Sequence, residues 1–261
     1  MAAKRIVTLS TDFGHKDHFV AVMKGVILSI APDAEIVDVT HEVTPFEIVE
    51  AAFLISEAYQ WFPRRTVHVV VVDPGVGTAR RPILVEAAGH FFLGPDNGVL
   101  AMVYERQKHK AREITNERLF LKPLSRTFHG RDIFAPSAAH LVNGTRPATF
   151  GPLIDDHLKL ALTKPQRTSK RAWTGTVLKV DRFGNLITNF HVDEFPAILT
   201  SPFDLYVGVR HIDQLALTFA DILDVAAVIG SSGYIEIATN QRSAASLLGC
   251  GIGAPVELTL Y

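Results

Sequence analysis

The sequence predicts an α/β domain followed by a smaller all-β domain. In the first part of the chain, short apolar runs typical of strands alternate with apolar residues at helical spacing, which favours a mostly parallel sheet flanked by helices. Beyond residue 172, closely spaced short strands without long helices between them indicate a small barrel or sandwich. We therefore expect an N-terminal α/β domain at 1–163, a polar, basic linker at 164–172 and a C-terminal β-barrel domain at 173–261.

The strands and helices of the first domain follow from its apolar runs in chain order. Strands are predicted at 6–10, 35–39, 69–72, 83–88 and 91–93, and helices at 17–30, from Thr44 onwards, at 99–105 and at 133–141. The start at Thr44 combines a capping residue, a proline at the first helical position and a glutamate three residues after the cap. The Asn-Gly pair within 94–98 predicts a structural turn.

The second domain is expected to consist of short strands separated by Gly, Ser, Asn and Asp. They are predicted at 174–180, 186–190, 205–209, 215–219, 225–229, 234–238 and 256–260.

Composition limits the kinds of partner. A net charge of -1 gives no broad attraction for nucleic acid or an acidic membrane, so a small, roughly neutral ligand is expected. A single cysteine, Cys250, excludes an internal disulfide framework. The chain goes from MAAKR straight into a strand without a signal-peptide core, and no apolar run is long enough to span a bilayer. We expect a cytoplasmic protein without nucleic-acid or membrane partners.

The stretch at 69–81, VVVVDPGVGTARR, is the centre of the predicted site. Four valines predict a strand buried on both faces, and Asp73-Pro74 ends it. Gly75 and Gly77 then allow a loop that lies close against a ligand, and Arg80 follows seven residues after the carboxylate. This makeup is typical of an α/β active site, and the alternative is a surface turn with a structural ion pair.

Other polar clusters stand where the strands expose their loops, but known motifs do not explain them. They are Asp12, 128–132, 181–189 and 231–234. Neither GxGxxG after the first strand nor GxxxxGK[ST] nor GxSxG occurs, so dinucleotide, P-loop and serine-hydrolase chemistry have no motif behind them. Several scattered histidines and acids could be considered as metal ligands but have no recognised metal-ligand spacing, and we expect no metal: His15, Asp17, His18, His41, His129 and Asp132.

Taken together, the motifs resemble one family. TDFG at 11–14, VDVTHEVTPF at 37–46, VDPGVGTARR, GPDNG, TFHGRD, DRFGNLITN and SSGY occur in the order found in the adenosine-forming S-adenosyl-L-methionine (SAM) hydrolases, also called SAM hydroxide adenosyltransferases. The resemblance extends from residue 6 to the last strand. The same superfamily includes the SAM-dependent fluorinase and chlorinase.

The resemblance implies a homotrimer with SAM, a substrate and not a cofactor, bound where one subunit's first domain meets its neighbour's second. By position, Asp73, Arg80 and His129 would handle an attacking water, and Asp12 would accept hydrogen bonds from the ribose diol. The products would be adenosine and L-methionine, and no cofactor is implied.

The remaining assignments carried over by resemblance concern the two ends of SAM. Asp181 would pair with the methionine ammonium, and Ser231 would contact its carboxylate region. Phe183 and Asn185 would contact the adenine, and Phe46 would help to enclose the ribose. For both phenylalanines the alternative is ordinary core packing.

The halogenases of the superfamily differ at the nucleophile. Where they have a tyrosine this chain has Asp73, and where they have a serine beside the halide it has Gly130. A carboxylate repels a halide but can accept a proton from water, so we expect hydrolysis, with Asp73 orienting water more than removing its proton early. The open alternatives are a halogenase, a SAM- or adenosine-binding protein without turnover, and a metal-dependent nucleoside or phosphate hydrolase.

Overall fold

The structure is a computed structural model that describes residues 5–160 and 164–261. The chain divides into two compact units, Met1–Leu160 and Ala161–Tyr261. The predicted end of the first domain, residue 163, lies outside the described residues.

The N-terminal unit is built on a seven-stranded sheet. Its strands are β1 (Ile6–Thr11), β2 (Glu35–Thr40), β3 (Val67–Val71), β4 (Pro82–Ala87), β5 (His90–Pro95), β6 (His109–Glu113) and β7 (Leu153–Ile154). Its α-helices are α1 (Phe19–Ile30), α2 (Ile48–Ala58), α3 (Ala101–Arg106) and α4 (Ala135–Val142), and a π-helical turn, Gly130–Phe134, precedes α4. The strand order is β2-β1-β3-β5-β4-β6-β7. The first four strands in this order pair in parallel, and the other pairings are antiparallel.

Strand β3 is buried on both faces, as its valine run predicts. Val67 and Val69 belong to a core cluster that includes residues of α1 and α4. Val70, which follows Val69 and points to the opposite face, belongs to a second cluster that includes residues of α2 and α3. Helices therefore cover both faces of the sheet, which confirms the predicted architecture. Each buried valine contributes roughly 1.5–3 kcal/mol through removal of its side chain from water.

The predicted helix start at Thr44 is wrong. Helix α2 begins at Ile48, and Phe46 has the left-handed backbone angle φ +72°. The Phe46 amide donates to Asp12 Oδ2 at 3.0 Å, and the Thr44 amide donates to Glu50 Oε2 at 2.9 Å. A contact to a distant strand end has thus displaced the helix that the local capping signal favours.

Over residues 164–261 the C-terminal unit is all-β apart from one short α-helix and two 3₁₀ turns. Its elements are β8 (Gln166–Arg167), β9 (Ala172–Val180), β10 (Leu186–His191), β11 (Phe203–Val207), β12 (Arg210–Ile212), β13 (Leu215–Ala216), β14 (Ala226–Ile229), β15 (Tyr234–Ala238), α5 (Ala244–Leu248) and β16 (Pro255–Leu260). They form one sheet in the order β12-β11-β16-β9-β10-β15-β14-β13, with β8 paired to β9. Residues from β12 and from β15 share one core cluster, so the sheet curls around it. The all-β prediction is confirmed. Strands β8 and β12 and helix α5 were not predicted, and β8 lies in the segment expected to be a linker.

Candidate active site

A pocket of about 290 Å³ opens at the carboxyl ends of β1 and β3. Four of the residues selected from the sequence line it: Asp12, Phe46, Asp73 and His129. Much of the remaining lining is apolar and was not anticipated: Phe13, Phe19, Pro45, Val71, Val76 and Phe128. These side chains adjoin the polar motifs in sequence, which is the signal that could have found them. The pocket is therefore a largely apolar cleft with a few acidic and imidazole groups.

Asp73 and Arg80 form a bidentate pair behind this pocket. Arg80 Nε donates to Asp73 Oδ1 at 2.9 Å, and Arg80 Nη2 donates to Oδ2. The side chains of Asp73 and Arg80 are only 5% and 8% exposed. The Thr78 hydroxyl donates to the Gly75 carbonyl at 2.7 Å and folds the loop back on itself. A fork of two parallel hydrogen bonds fixes the carboxylate in orientation as well as in charge.

His129 is tied to the same guanidinium. Arg80 Nη2 lies 2.7 Å from His129 Nδ1. A guanidinium can only donate, so Nδ1 must accept and the hydrogen of a neutral ring is on Nε2. Burial, followed by the nearby Arg80 charge, lowers the pKa of His129, although Asp73 and Asp132 oppose the shift. Both observations assign the neutral form to this imidazole.

Asp12 is held by the loops that follow β1 and β2. The hydroxyl of Thr11 lies 2.8 Å from Nδ1 of buried His41, whose carbonyl accepts from the Gly14 amide at 2.7 Å. Oδ2 of Asp12 accepts from the Phe46 amide, and within the described residues Oδ1 has no partner. Phe46 is 69% exposed, so the core-packing alternative for this residue is wrong. The acid presents one free oxygen to the pocket beside an aromatic ring.

In the C-terminal unit, Asp181 shapes the loop between β9 and β10. Its Oδ1 accepts from the amides of Phe183 at 2.9 Å and Asn185 at 2.8 Å, and its Oδ2 accepts from Asn185 Nδ2 at 2.9 Å. An aspartate that accepts from amides two and four residues on stabilises a tight turn. The Asn185 side chain is thereby oriented, with its carbonyl oxygen left as an acceptor.

A cavity of about 660 Å³ lies beside this loop and is lined by Phe183 and Asn185. Phe183 is 78% exposed, so the core-packing alternative is wrong for it too. The rest of the lining was missed: Phe219, Ala220, Thr239, Asn240, Gln241, Arg242 and Ser243. For the five residues from Thr239 to Ser243, the signal available was the polar run between β15 and α5.

Ser231 is not among the residues that line this cavity. It lies on the turn between β14 and β15, which is closed by a hydrogen bond from the Gly233 amide to the Gly230 carbonyl. A Cβ atom on Gly230 would lie 1.8 Å from Oε1 of Glu236, so the carboxyl group packs directly under this turn. Burial, followed by the charge of Asp181, raises the pKa of Glu236 to about 7. The structure thus adds an acid near Asp181 that the sequence motifs did not indicate.

Three of the residues considered as metal ligands have other partners. His41 and His129 take part in the hydrogen bonds described above, and buried Asp132 pairs with Arg131 at 2.6 Å. Among residues 5–160 and 164–261 no group of three or more His, Cys, Asp or Glu side chains is placed to hold a metal ion. Over the same residues no helix has the length and apolar character needed to cross a membrane.

A sheet with helices on both faces and an acid–guanidinium–imidazole network at its strand ends, joined to an all-β unit, defines a two-unit α/β protein with an enzyme-like pocket. The chain belongs to the family of SAM hydroxide adenosyltransferases. The N-terminal domain of that family matches residues 7–151, and the C-terminal domain matches residues 175–257.

Individual relatives are similar over nearly the whole chain. The (R)-S-adenosyl-L-methionine hydrolase of Thermus thermophilus is 37% identical over 271 residues, covering 97% of this chain and 99% of the relative. The fluorinase of an Actinoplanes species is 30% identical over 289 residues, covering 97% of each. The crystal structure of an uncharacterized conserved protein from Thermotoga maritima is 39% identical, covers 97% of this chain and 99% of that one, and superposes with a TM-score of 0.88.

Proposed function

We propose that this protein hydrolyses SAM to adenosine and L-methionine by attack of water at the ribose C5'. The observation that carries the proposal is the Asp73–Arg80–His129 network, because Asp73 and His129 line the same pocket as Asp12. Full-length relatives that are named SAM hydrolases support it.

The chemistry requires little from the enzyme at the leaving group. The sulfonium departs as a neutral thioether, taking the electron pair of the C5'–S bond, so no acid is needed there. A water oxygen forms the new bond to C5' and must lose a proton. Each Asp73 oxygen accepts from Arg80 and keeps a second acceptor site, so the carboxylate can take a hydrogen bond and then the proton of this water.

His129 has a different role in this mechanism. With its hydrogen on Nε2, the neutral ring is a donor and not a base, so it orients groups around it and holds Arg80. Asp73 is therefore the proton acceptor of the network. The apolar lining excludes bulk water, which strengthens the interaction of a hydroxide-like nucleophile with the sulfonium.

The substrate contacts proposed for the other residues use atoms and rings that the structure leaves available to a ligand. The unpaired Oδ1 of Asp12 would accept from the ribose diol, and the exposed ring of Phe46 would cover the sugar. Phe183 and the carbonyl oxygen of Asn185 would contact the adenine.

The methionine end of SAM is assigned to two further residues. We propose that Asp181 pairs with the ammonium group and that Ser231 contacts the carboxylate. We also propose a cytoplasmic homotrimer, with SAM between the N-terminal unit of one subunit and the C-terminal unit of the next. Light scattering on the purified protein tests the assembly.

Halogenation is the main alternative, and the surroundings of Gly130 argue against it. A Cβ atom at this buried glycine would lie 3.1 Å from Met23 Sδ and 3.2 Å from Phe128 Cε2, so a serine there would require its neighbours to move. The carboxylate of Asp73 would also repel a halide held beside it.

The deciding experiment incubates purified protein with SAM, with and without chloride or fluoride, and separates the products by chromatography. We expect adenosine and methionine in equal amounts, and ¹⁸O from labelled water in the 5'-hydroxyl. A 5'-halogenated adenosine would favour halogenase activity. A saturable thermal shift with SAM and no adenosine would favour a binding protein, and loss of activity with a chelator would favour a metal-dependent hydrolase.

A further inference from the structure

A second cavity, with a polar lining, lies at the opposite ends of the strands of the N-terminal sheet from the Asp73 pocket. It has a volume of about 610 Å³, and five of its lining residues are Arg64, Arg65, His90, Lys108 and Lys110. These residues precede or begin β3, β5 and β6, whereas Asp12 and Asp73 follow the carboxyl ends of β1 and β3. The proposed hydrolysis makes no use of this cavity.

The cavity carries a large excess of positive charge. Within the described residues, the charged groups of Arg64, Arg65, Lys108 and Lys110 have no hydrogen-bonded or ion-paired side-chain partner. Glu86 is the one acid among the lining residues. It stands opposite Lys110 in the β4–β6 register, but its Oε1 lies 3.7 Å from Nε of Arg112, an arginine that does not line the cavity. Four cations around one cavity repel one another unless an anion lies between them.

The guanidinium of Arg64 is held in position by the backbone at Gly89. Its Nη2, Nε and Cζ atoms lie 2.7–2.9 Å from the position that a Cβ atom on Gly89 would occupy, so the guanidinium stacks on the bare backbone of the β4–β5 turn. Gly89 has φ +84°, and its carbonyl accepts from the Arg65 amide at 2.8 Å. Contacts with Gly89 thus hold both arginines beside the β4–β5 turn at the opening of the cavity.

A buried chain of imidazoles ends at the same cavity. His90 is only 5% exposed, and its Nδ1 lies 3.3 Å from Nε2 of His68, whose Nδ1 lies 2.8 Å from the Thr8 hydroxyl. Nε2 of His90 has no hydrogen-bond partner within the described residues. If the Thr8 hydroxyl donates to Nδ1 of His68, then Nε2 of His68 donates to Nδ1 of His90. The hydrogen of His90 is then on Nε2, and the ring presents an N–H group to the cavity.

We propose that this cavity binds a small ligand that carries two or more phosphate groups. Arg64 and Arg65 are near β3, Lys108 and Lys110 are near β6, and the strand order β3-β5-β4-β6 separates them by three strand spacings, about 14 Å. A chain of phosphates spans this separation, whereas a single phosphate would require the side chains of both groups to extend towards one point. Guanidinium groups bind phosphate through two parallel hydrogen bonds, and the volume is that of a small-molecule site.

The first test is calorimetric binding of inorganic tripolyphosphate at physiological salt, where long-range attraction is screened. The double variant Arg64→Gln/Lys110→Gln should bind at least about tenfold more weakly, because two charged contacts are lost. Lys122→Gln, which removes an exposed lysine paired with Glu117, should bind as the wild type does. No saturable binding at millimolar tripolyphosphate, or equal binding by the double variant, would overturn the proposal.

The second test places the ligand at His90. Burial, followed by the charge of Arg64, lowers the pKa of His90. The other charged or titratable groups around it are Arg65, Glu86, Lys108, His109, Lys110, His68 and Tyr59. A bound anion offsets the repulsion by Arg64, so tripolyphosphate should raise the pKa of His90 in an NMR titration assigned with His90→Gln. An unchanged titration at saturation would contradict the assignment.

Two further measurements test which kind of phosphate compound the cavity prefers and whether the cavity acts independently of the Asp73 pocket. ATP that binds more tightly than tripolyphosphate would identify a phosphorylated nucleoside as the preferred form, and equal binding would assign recognition to the phosphates alone. SAM hydrolysis by Arg64→Gln/Lys110→Gln should match that of the wild type, because this edge of the sheet is remote from Asp73. The binding measurements with tripolyphosphate and ATP are readable even if the protein does not hydrolyse SAM.

Discussion

Arg80 Nη2 donates to His129 Nδ1 across 2.7 Å, and this bond determines which atom of the imidazole carries hydrogen. The same guanidinium holds both oxygens of Asp73. One arginine therefore fixes the orientation of an acid and the tautomer of a histidine. The division of roles in the proposed mechanism, with an acceptor at Asp73 and a donor at His129, follows from this arrangement.

Protonation of His129 should impair turnover. A protonated ring carries hydrogen on Nδ1, where it faces the Arg80 donor and repels it. Because the pKa of His129 is lowered from 6.5, most of the ring is neutral at pH 6.5 and the midpoint of the loss should lie at lower pH. We expect an acid limb in kcat with its midpoint below pH 6.5, and a changed acid limb in His129→Gln. An acid limb centred above pH 7 would contradict this.

Asp73→Asn should reduce kcat about 100-fold or more while leaving SAM binding nearly unchanged, because an amide cannot take the proton of water. The matched control is Asp96→Asn. Asp96 pairs with the next arginine, Arg81, at 2.6 Å but does not line the pocket. Steady-state kinetics and calorimetric SAM binding, with circular dichroism to check folding, measure the effect. Turnover by Asp73→Asn within a few-fold of the wild type would remove this residue from the mechanism.

The strands and the covered faces of the first sheet could be predicted because a run of β-branched residues has few alternatives to burial. The Thr44 helix start could not, because the signal for a capped helix is local and the hydrogen bond from Phe46 to Asp12 spans 34 residues. The same limit applies to the site. Motifs identified Asp12, Asp73 and His129, but their meeting in one pocket depends on strand order, which residue spacing does not encode.

Asp181 illustrates a second limit of prediction from motifs. Its position in a motif suggests contact with a ligand, yet three of its hydrogen bonds are spent within its own loop. Glu236 was missed for the opposite reason: its strand alternates normally, and only burial near another acid makes it unusual.

The variants Phe46→Gly and Phe46→Ala distinguish the effect of losing the aromatic ring from the effect of the strained backbone at this position. Both variants lose the exposed aromatic and should raise the KM for SAM by a similar factor, roughly tenfold. Only glycine relieves the φ of +72°, so Phe46→Gly should be about 1 kcal/mol more stable to urea than Phe46→Ala. An unchanged KM in both variants would show that the ring does not contact the substrate.

Asp181→Asn should weaken adenosine binding about tenfold, because the Asn185 side chain loses the acceptor that orients it. The exposed Asp193, 3.6 Å from His191, provides the control Asp193→Asn, which should bind adenosine normally. Calorimetry with adenosine alone is the measurement, since adenosine has no ammonium group. If adenosine affinity is retained and only L-methionine binding falls, the loop-forming role is secondary to the ammonium contact.

Protonation of His68 should contribute to the destabilisation of the N-terminal unit by acid. Burial, followed by the proximity of His90, lowers the pKa of His68 to about 3, against 6.5 for the unfolded chain. The folded state therefore resists a proton that the unfolded state accepts, so the contribution is complete above pH 6.5 and is lost as the pH falls towards 3. Between pH 7 and 5 the free energy of unfolding should fall by about 2 kcal/mol from this group alone. Urea unfolding at pH 7, 6 and 5 should show a smaller decrease in His68→Gln than in the wild type or in the exposed-site control His18→Gln. Equal decreases in all three proteins would show that His68 is not the acid-sensitive group.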